Sequence, residues 1–234
     1  MQLLKVDELI TKSGEHRVIL IGLADSENEW LEAKQLDDLA FQQHHGISME
    51  ELTSIVKSGG AIILIREKET RQLIAEAQIL FRQIDQLSYI LPEREAFNYG
   101  VAVNPDFQGC GLGKKLIQYV DLLATEGHSE TLSLTVRSEN YTSIKLHTDL
   151  GFRIVGYLPN FYGNNPSNAR LLMKKPAGRS YEDGLMNTID VERVPVHYGD
   201  THDPYAHGVI WSLIAHGYQG VSADRHGLTF KKLP

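Results

Sequence analysis

The sequence predicts a mixed α/β (α+β) fold with a C-terminal extension, and three observations carry that prediction. Short β-branched runs alternate with helix-period segments from residue 17 to residue 175. Three consecutive strand-like runs in the first half are joined by short connections, as in an antiparallel meander. A glycine-rich stretch, DFQGCGLGKK at 106–115, links the last of these strands to an amphipathic helix.

The elements follow in order. RVILIGL (17–23) is a strand. Ser26 is placed to cap the next segment, in which Trp30, Leu31, Ala33, Leu36, Leu39 and Ala40 recur at helical spacing. A second helix starts at Ser48, with Glu51 three residues on as the partner of a capping box and a glycine pair to end it. AIILIRE (61–67), QLIAEAQILF (72–81) and AFNYGVAV (96–103) are the meander strands. Leu112, Leu116, Tyr119, Val120 and Leu123 mark one helix face, and Gly127 lies past its end. TLSLTV (131–136) is the next strand, followed by a helix from Asn140, its cap, to Gly151. FRIVGYL and ARLLMKK close the series. After a linker-like stretch at 176–180, residues 177–234 form an extension with one helix, 205–217, packed on the main domain (1–176) or on a second copy of the chain.

The 234 residues are 42% apolar, enough for a real core. No apolar run approaches the ~20 residues a membrane span needs, and residues 1–10 carry Lys5, Asp7 and Glu8, unlike a signal peptide. A soluble, cytoplasmic protein is expected. The formal charge of −7 argues against a general nucleic-acid binder, and the single cysteine, Cys110, excludes an intrachain disulfide or a cysteine-rich zinc site. In the extension, His197, His202 and His207 with Asp200 and Asp203 fit neither a helix face nor a zinc finger, so no metal is expected.

The glycine stretch fails two phosphate motifs. A P-loop frame ending on Gly113-Lys114 puts Gln108 at the first glycine and Lys115 where Ser or Thr belongs. The dinucleotide fingerprint fails at its third glycine and needs a parallel βαβ unit. Gln108-x-x-Gly111-x-Gly113 remains. Its glycines allow close backbone approach, and the first-turn amides with the helix dipole favour a pyrophosphate. Lys114 and Lys115 point the same way, although a plain helix-capping turn with solvated lysines has the same composition.

VAVNPDFQGCGLGKKLIQYV followed by Asn140-x-x-Ser143-x-x-Leu146-His147-x-x-x-Gly151-Phe152 resembles the GNAT superfamily of acetyl-CoA-dependent N-acetyltransferases, over roughly two-thirds of the chain. The central part is most similar to the ribosomal-protein alanine acetyltransferase branch. The resemblance implies a mixed, mostly antiparallel sheet with helices on both faces, splayed to admit acetyl-CoA. It implies that Val101, Ala102 and Val103 pair with the pantetheine arm, and that the amides of Gln108, Gly109, Cys110, Gly111, Leu112 and Gly113, with Lys114, hold the pyrophosphate. Asn140 would approach the reactive end of the cofactor while capping its helix.

Direct transfer to an amine needs a base, a polarised carbonyl and an acid for the departing thiolate. His147 stands where the family has its acidic Tyr; it can donate a proton, or it can be a satisfied structural histidine. Thr135 stands where the alanine branch has a Glu base, and threonine cannot be a base at neutral pH. Glu95 and Glu76 are the remaining base candidates, Glu95 on an alternating face with Phe97, Tyr99 and Val101. Tyr162 is a substitute acid or a substrate contact. Cys110 would offer its amide rather than its sulfur. The expected partner is a small-molecule amine or a peptide N-terminus, with neither nucleic acid nor membrane involved and a homodimer through the extension left open. The alternative is a non-catalytic acyl-CoA-binding regulatory or scaffold protein.

Overall fold

The computed structural model describes residues 1–41, 46–159, 161, 169–179, 190–196 and 204–232. The chain clusters into two compact units, Met1–Glu130 and Thr131–Pro234.

The first unit contains β1 (Gln2–Ile10), β2 (His16–Leu23), α1 (Glu27–Phe41), α2 (Met49–Lys57), β3 (Ala61–Glu67), β4 (Leu73–Leu80), β5 (Glu95–Val103), a 3-10 turn (Pro105–Phe107) and α3 (Leu112–Glu126). Its strands lie in the order β1-β2-β3-β4-β5, each antiparallel to the next. The meander over β3, β4 and β5 is as the sequence predicts. α1 and α3 both pack on β4 and β5, and α2 packs on β3 and β4. Every residue of β4 is buried, so this strand reads as a continuous apolar run broken by Glu76 and Gln78. β1 does not announce itself in the sequence. It pairs with β2 over its whole length, but most of its side chains are exposed, so it shows no buried alternating face.

The pairing of β4 with β5 slips by one residue. Gln78 pairs with Gly100 and Ile79 with Asn98, which leaves Tyr99 as the extra residue of a β-bulge. A one-residue slip inverts the alternation. Glu95, Phe97 and Tyr99 run in one set up to the bulge, and beyond it Gly100 and Ala102 continue that set. Ring contacts support the first part: Phe97 meets Tyr89 at 5.6 Å and Tyr99 at 6.4 Å between centroids. Glu95 therefore does not share a face with Val101, contrary to the simple alternation.

α2 starts as its sequence predicts. The hydroxyl of Ser48 accepts from the amide of Glu51 at 3.1 Å, and the Glu51 carboxylate accepts from the amide of Ser48 at 2.8 Å. The same Glu51 carboxylate accepts from the Tyr99 hydroxyl at 2.5 Å, which ties the helix to the bulge.

The second unit contains β6 (Thr131–Arg137), α4 (Tyr141–Asp149), β7 (Arg153–Leu158), β8 (Arg170–Pro176), β9 (Asp190–Pro195), α5 (Pro204–Ala215), β10 (Tyr218–Asp224) and β11 (Gly227–Lys232). The order is β6-β8-β7-β10-β11-β9, again with antiparallel neighbours. The chain beyond residue 176 thus adds β9, β10 and β11 to a sheet that β6 to β8 begin. α4 packs on β10, and α5 on β7, β9 and β10. The expected break at 176 does not separate the two units. Among the described residues no helix is long and apolar enough to cross a membrane.

Replacing Ser48 by Ala removes one half of the capping box. Urea unfolding is expected to show a loss of about 1 kcal/mol, with an unchanged m-value; no change in midpoint would mean that the cap contributes nothing here.

Candidate functional site

The turn after β5 is built by local hydrogen bonds. The amide of Asn104 donates to the Ile74 carbonyl at 2.9 Å, and its side-chain oxygen accepts from the Asp106 amide at 3.0 Å. Phe107 is buried under the Arg17 guanidinium, 5.6 Å from the ring centroid. Gly109 and Gly111 then take left-handed φ values of 77° and 83°, which glycine adopts at no steric cost. Gly111 is the N-cap of α3 and has no side chain to cap it, and no acid lies in the first turn. The opening amides of α3 consequently face outward without an intrahelical partner, at the positive end of the helix dipole.

Cations surround this turn. Lys115 pairs with Asp7 at 2.7 Å, and this ammonium beside Asp7 holds its carboxyl below the usual range. Lys114 is exposed. Lys12, from the β1–β2 turn, lies across Gly109: a Cβ on that glycine would sit 2.9 Å from Lys12 Cε and 3.6 Å from its Nζ. Sequence reasoning missed Lys12, because only the pairing of β1 with β2 brings it here. Cys110 is half-buried, with its sulfur 3.9 Å from the Gln108 carbonyl. Val101, Ala102 and Val103 lie beyond the bulge on β5, paired with Ala77, Glu76 and Ala75.

Of the carboxylates, Glu95 is buried at the start of β5 and accepts from the Tyr89 hydroxyl at 2.7 Å. Glu76 is fully buried on β4. It accepts from the Gln78 amide, and burial first, then the charge of Asp37, push its carboxyl well above the ordinary value. Asp37, buried on α1, accepts from the Ile47 amide at 2.6 Å; burial raises it to about 6.

In the second unit, Asn140 caps α4 as predicted, its side-chain oxygen accepting from the Ser143 amide at 3.1 Å. His147 is buried in α4, its ring at right angles to Phe152 with centroids 5.3 Å apart. Its Nδ1 lies 2.7 Å from the Ser143 carbonyl, a geometry that places the proton on Nδ1, while Nε2 is buried without a partner. Burial lowers its pKa to about 4. With the proton on Nδ1, Nε2 carries a lone pair. Thr135 sits on β6 opposite Leu172. His207, read in the sequence only as one of a run of histidines, is buried on α5, with Nε2 2.8 Å from the Ser138 hydroxyl and its ring 5.2 Å from that of Tyr157. Tyr162 lies outside the described residues, as do His197, His202, Asp200 and Asp203. Among the described residues no group of three or more His, Cys, Asp or Glu side chains is arranged to hold a metal ion.

A bulged strand, a glycine turn in left-handed conformation and a helix opening on bare amides follow one another within residues 95–126. The chain belongs to the acetyltransferase (GNAT) family, which matches residues 27–152, more than half of its length. The ribosomal protein bS18-alanine N-acetyltransferase of Salmonella typhimurium is 33% identical over 103 residues, 44% of this chain and 59% of that protein, so the match spans less than two thirds of the relative. The crystal structure of the Escherichia coli ribosomal-protein-S18-alanine N-acetyltransferase superposes with a TM-score of 0.56 at 20% identity, covering 70% of this chain and 97% of that one. The Salmonella typhimurium protein yncA, solved with its cofactor acetyl-CoA, gives 0.52 at 18% identity, covering 70% and 96%. At these identities the solved structures speak for the fold alone.

The pH dependence of stability follows from the two shifted groups. His147 is lowered from 6.5 to about 4, so the unfolded chain holds the extra proton between these values; its stabilising contribution is complete above about pH 6.5 and lost as pH falls towards 4. Asp37 is raised from 3.8 to about 6, so the folded chain holds the extra proton; its contribution is complete below 3.8 and lost as pH rises through about 6. Relative to the parent, Asp37→Asn should therefore gain stability between pH 4 and pH 8, by up to about 3 kcal/mol. His147→Phe should gain on its parent in the opposite direction, from pH 7 to pH 4. Chemical denaturation across pH checks both, and pH-independent differences would contradict the assigned burial.

Proposed function

We propose that this protein is an acetyl-CoA-dependent N-acetyltransferase that moves the acetyl group directly to a primary amine. The observation that carries this reading is the turn at 108–114, where glycines in left-handed conformation present uncapped helix amides among lysines, within the family match. The turn fits a pyrophosphate on its own chemistry: uncapped first-turn amides of α3, no first-turn acid, and cations on two sides, while the Gln108 and Cys110 amides make only long bonds of 3.4 Å to Pro105 and Phe107. In this reading the amides from Gln108 to Gly113, with Lys114 and Lys12, hold the pyrophosphate. The backbone of Val101, Ala102 and Val103 pairs with the pantetheine arm, and Asn140 is the residue that the family pattern assigns to its reactive end. Bound acetyl-CoA supplies an activated acyl thioester.

The chain's own part is to orient the amine, take up its proton and exclude water from the thioester. The nitrogen attacks the thioester carbonyl, the carbon–sulfur bond breaks, and the sulfur leaves with a proton. His147 in its resting tautomer offers a lone pair at Nε2, so its part is to accept a hydrogen bond and orient, rather than to protonate the sulfur. Glu95, already engaged by Tyr89, and Tyr162 remain candidates for proton transfer. The named bS18-alanine acetyltransferases make a peptide N-terminus one candidate acceptor.

Calorimetric titration with acetyl-CoA, beside a mass-spectrometric screen of amines for a 42-Da gain (the mass of an acetyl group replacing a proton), tests the proposal. Tight binding with turnover supports it; tight binding without turnover on any amine favours an acyl-CoA-binding regulatory protein; no binding ends both readings. Lys12→Ala and Lys114→Ala are each expected to weaken acetyl-CoA binding by about fivefold, and the loss should shrink in 0.5 M salt (about a 4 Å Debye length). His147→Phe should lower turnover less than about tenfold, and a larger fall at unchanged acetyl-CoA affinity would restore the acid role.

A further inference from the structure

The core of the first unit contains an arrangement that packing does not explain. Glu76 and Gln78 lie on the same face of β4, both wholly buried, and the Gln78 amide donates to one Glu76 oxygen. The other Glu76 oxygen, Oε1, and Gln78 Oε1 have no hydrogen-bond partner. A buried acceptor left without a donor costs about 1–3 kcal/mol, so two side by side in a fully buried strand point to a donor that comes from outside the chain. Gly100 lies opposite Gln78 at the bulge. A Cβ there would fall 2.5 Å from Gln78 Oε1 and would meet no atom within 4 Å except those of Gln78. The bare Cα of Gly100 thus lets Gln78 Oε1 lie against the backbone of β5, and Gly100 itself is half-exposed.

Charge narrows the chemistry of the missing donor. Asp37 stands close enough to act on Glu76, and Asp38 and Glu51 act on Asp37 in turn, against the opposing charge of Lys34. The Tyr99 hydroxyl, on the same side, is turned to Glu51. A carboxylate or phosphate would add negative charge to a cluster of acids. A primary ammonium has three donors and no acceptor, and its charge offsets the acids. An α-amine beside a carbonyl or carboxylate would bring acceptors and a branch into the same space, whereas an unbranched –CH2–NH3+ head brings neither.

We propose that Glu76 Oε1 and Gln78 Oε1, beside Gly100, receive the head of an unbranched primary alkylamine, and that this is the acceptor class of the enzyme. The assignment of the amine as acetyl acceptor rests on the acyl-transfer reading above; the ammonium site itself does not. Burial and Asp37 hold the Glu76 carboxyl towards its protonated form in the free protein, and a cation at Oε1 opposes that effect.

The test uses the full chain and n-butylammonium chloride as the probe, with thermal unfolding as the readout. Saturating probe is expected to raise Tm by about 2 °C or more over sodium chloride of equal ionic strength, whereas alaninamide and 1-butanol should have much smaller effects. The rise should vanish in Glu76→Gln, which keeps the shape of the side chain, and in Gly100→Ala, whose Cβ would displace Gln78 Oε1 and leaves the acids in place. A parent protein that does not respond, equal responses in parent and variants, or a preference for alaninamide would each overturn the proposal; an unresponsive parent would mean that buried water satisfies these oxygens. Acetyl-CoA calorimetry on the same samples separates the two readings. Loss of cofactor binding with an intact butylammonium response defeats acyl transfer alone, and the converse defeats this site alone.

Discussion

The slip of one residue between β4 and β5 governs the first unit. Without it, β5 would present Glu95, Phe97, Tyr99 and Val101 to one side over its whole length. With Tyr99 bulged, the set passes from 95, 97 and 99 to 100 and 102. The aromatic half packs against Tyr89 and reaches α2 through Glu51, and the small half lies against Glu76 and Gln78. The same change of phase puts Val101 and Val103 in the other set, in the last residues before the glycine turn. One inserted residue thus separates a packed, aromatic end of the strand from an end lined by glycine and alanine.

The polar atoms left unmatched in the interior are of both kinds: Trp30 Nε1 and Arg137 Nη2 are donors, whereas Glu76 Oε1, Gln78 Oε1, Gln86 Oε1 and His147 Nε2 are acceptors. On Glu76, Gln78 and His147 the other polar atom is already bonded. An interior selected for stability alone would replace such groups with apolar ones of the same shape at little loss. The shifted groups carry the same cost in another form: His147 is held neutral and Asp37 is held towards its protonated form by burial.

Much of this was legible in the sequence where pattern and chemistry coincide. The capping box at Ser48, the Asn140 cap, the meander and the glycine turn each depend on residues within a few positions of one another, so local spacing encodes them. The bulge was not read, although Gly100 inside the strand run is a local sign of one, because register depends on the partner strand. β1 was missed because an edge strand exposed on both sides has no periodicity to read. His147 was found as a position, but its tautomer follows from the Ser143 carbonyl and its low pKa from burial, neither of which is written in the residue's identity. His207 was separated from Ser138 by sixty-nine positions and only folding joins them.

The charges at the glycine turn show how a hairpin outside the family match contributes to a site within it. Residues 2–23 precede the matched span, 27–152. From this hairpin Asp7 takes Lys115, Arg17 covers Phe107, and Lys12 crosses Gly109. The first contact removes a cation that would oppose the positive end of the α3 dipole, and the second pins the turn that precedes it. Lys12 has the reverse effect, since it places a charge where the dipole is already positive. Two of the three contacts stabilise the turn without a ligand, and the third becomes favourable only when an anion is held there. A hairpin that merely braced the turn would have no need of a cation over its glycine, and this is the contact on which the proposed phosphate site draws.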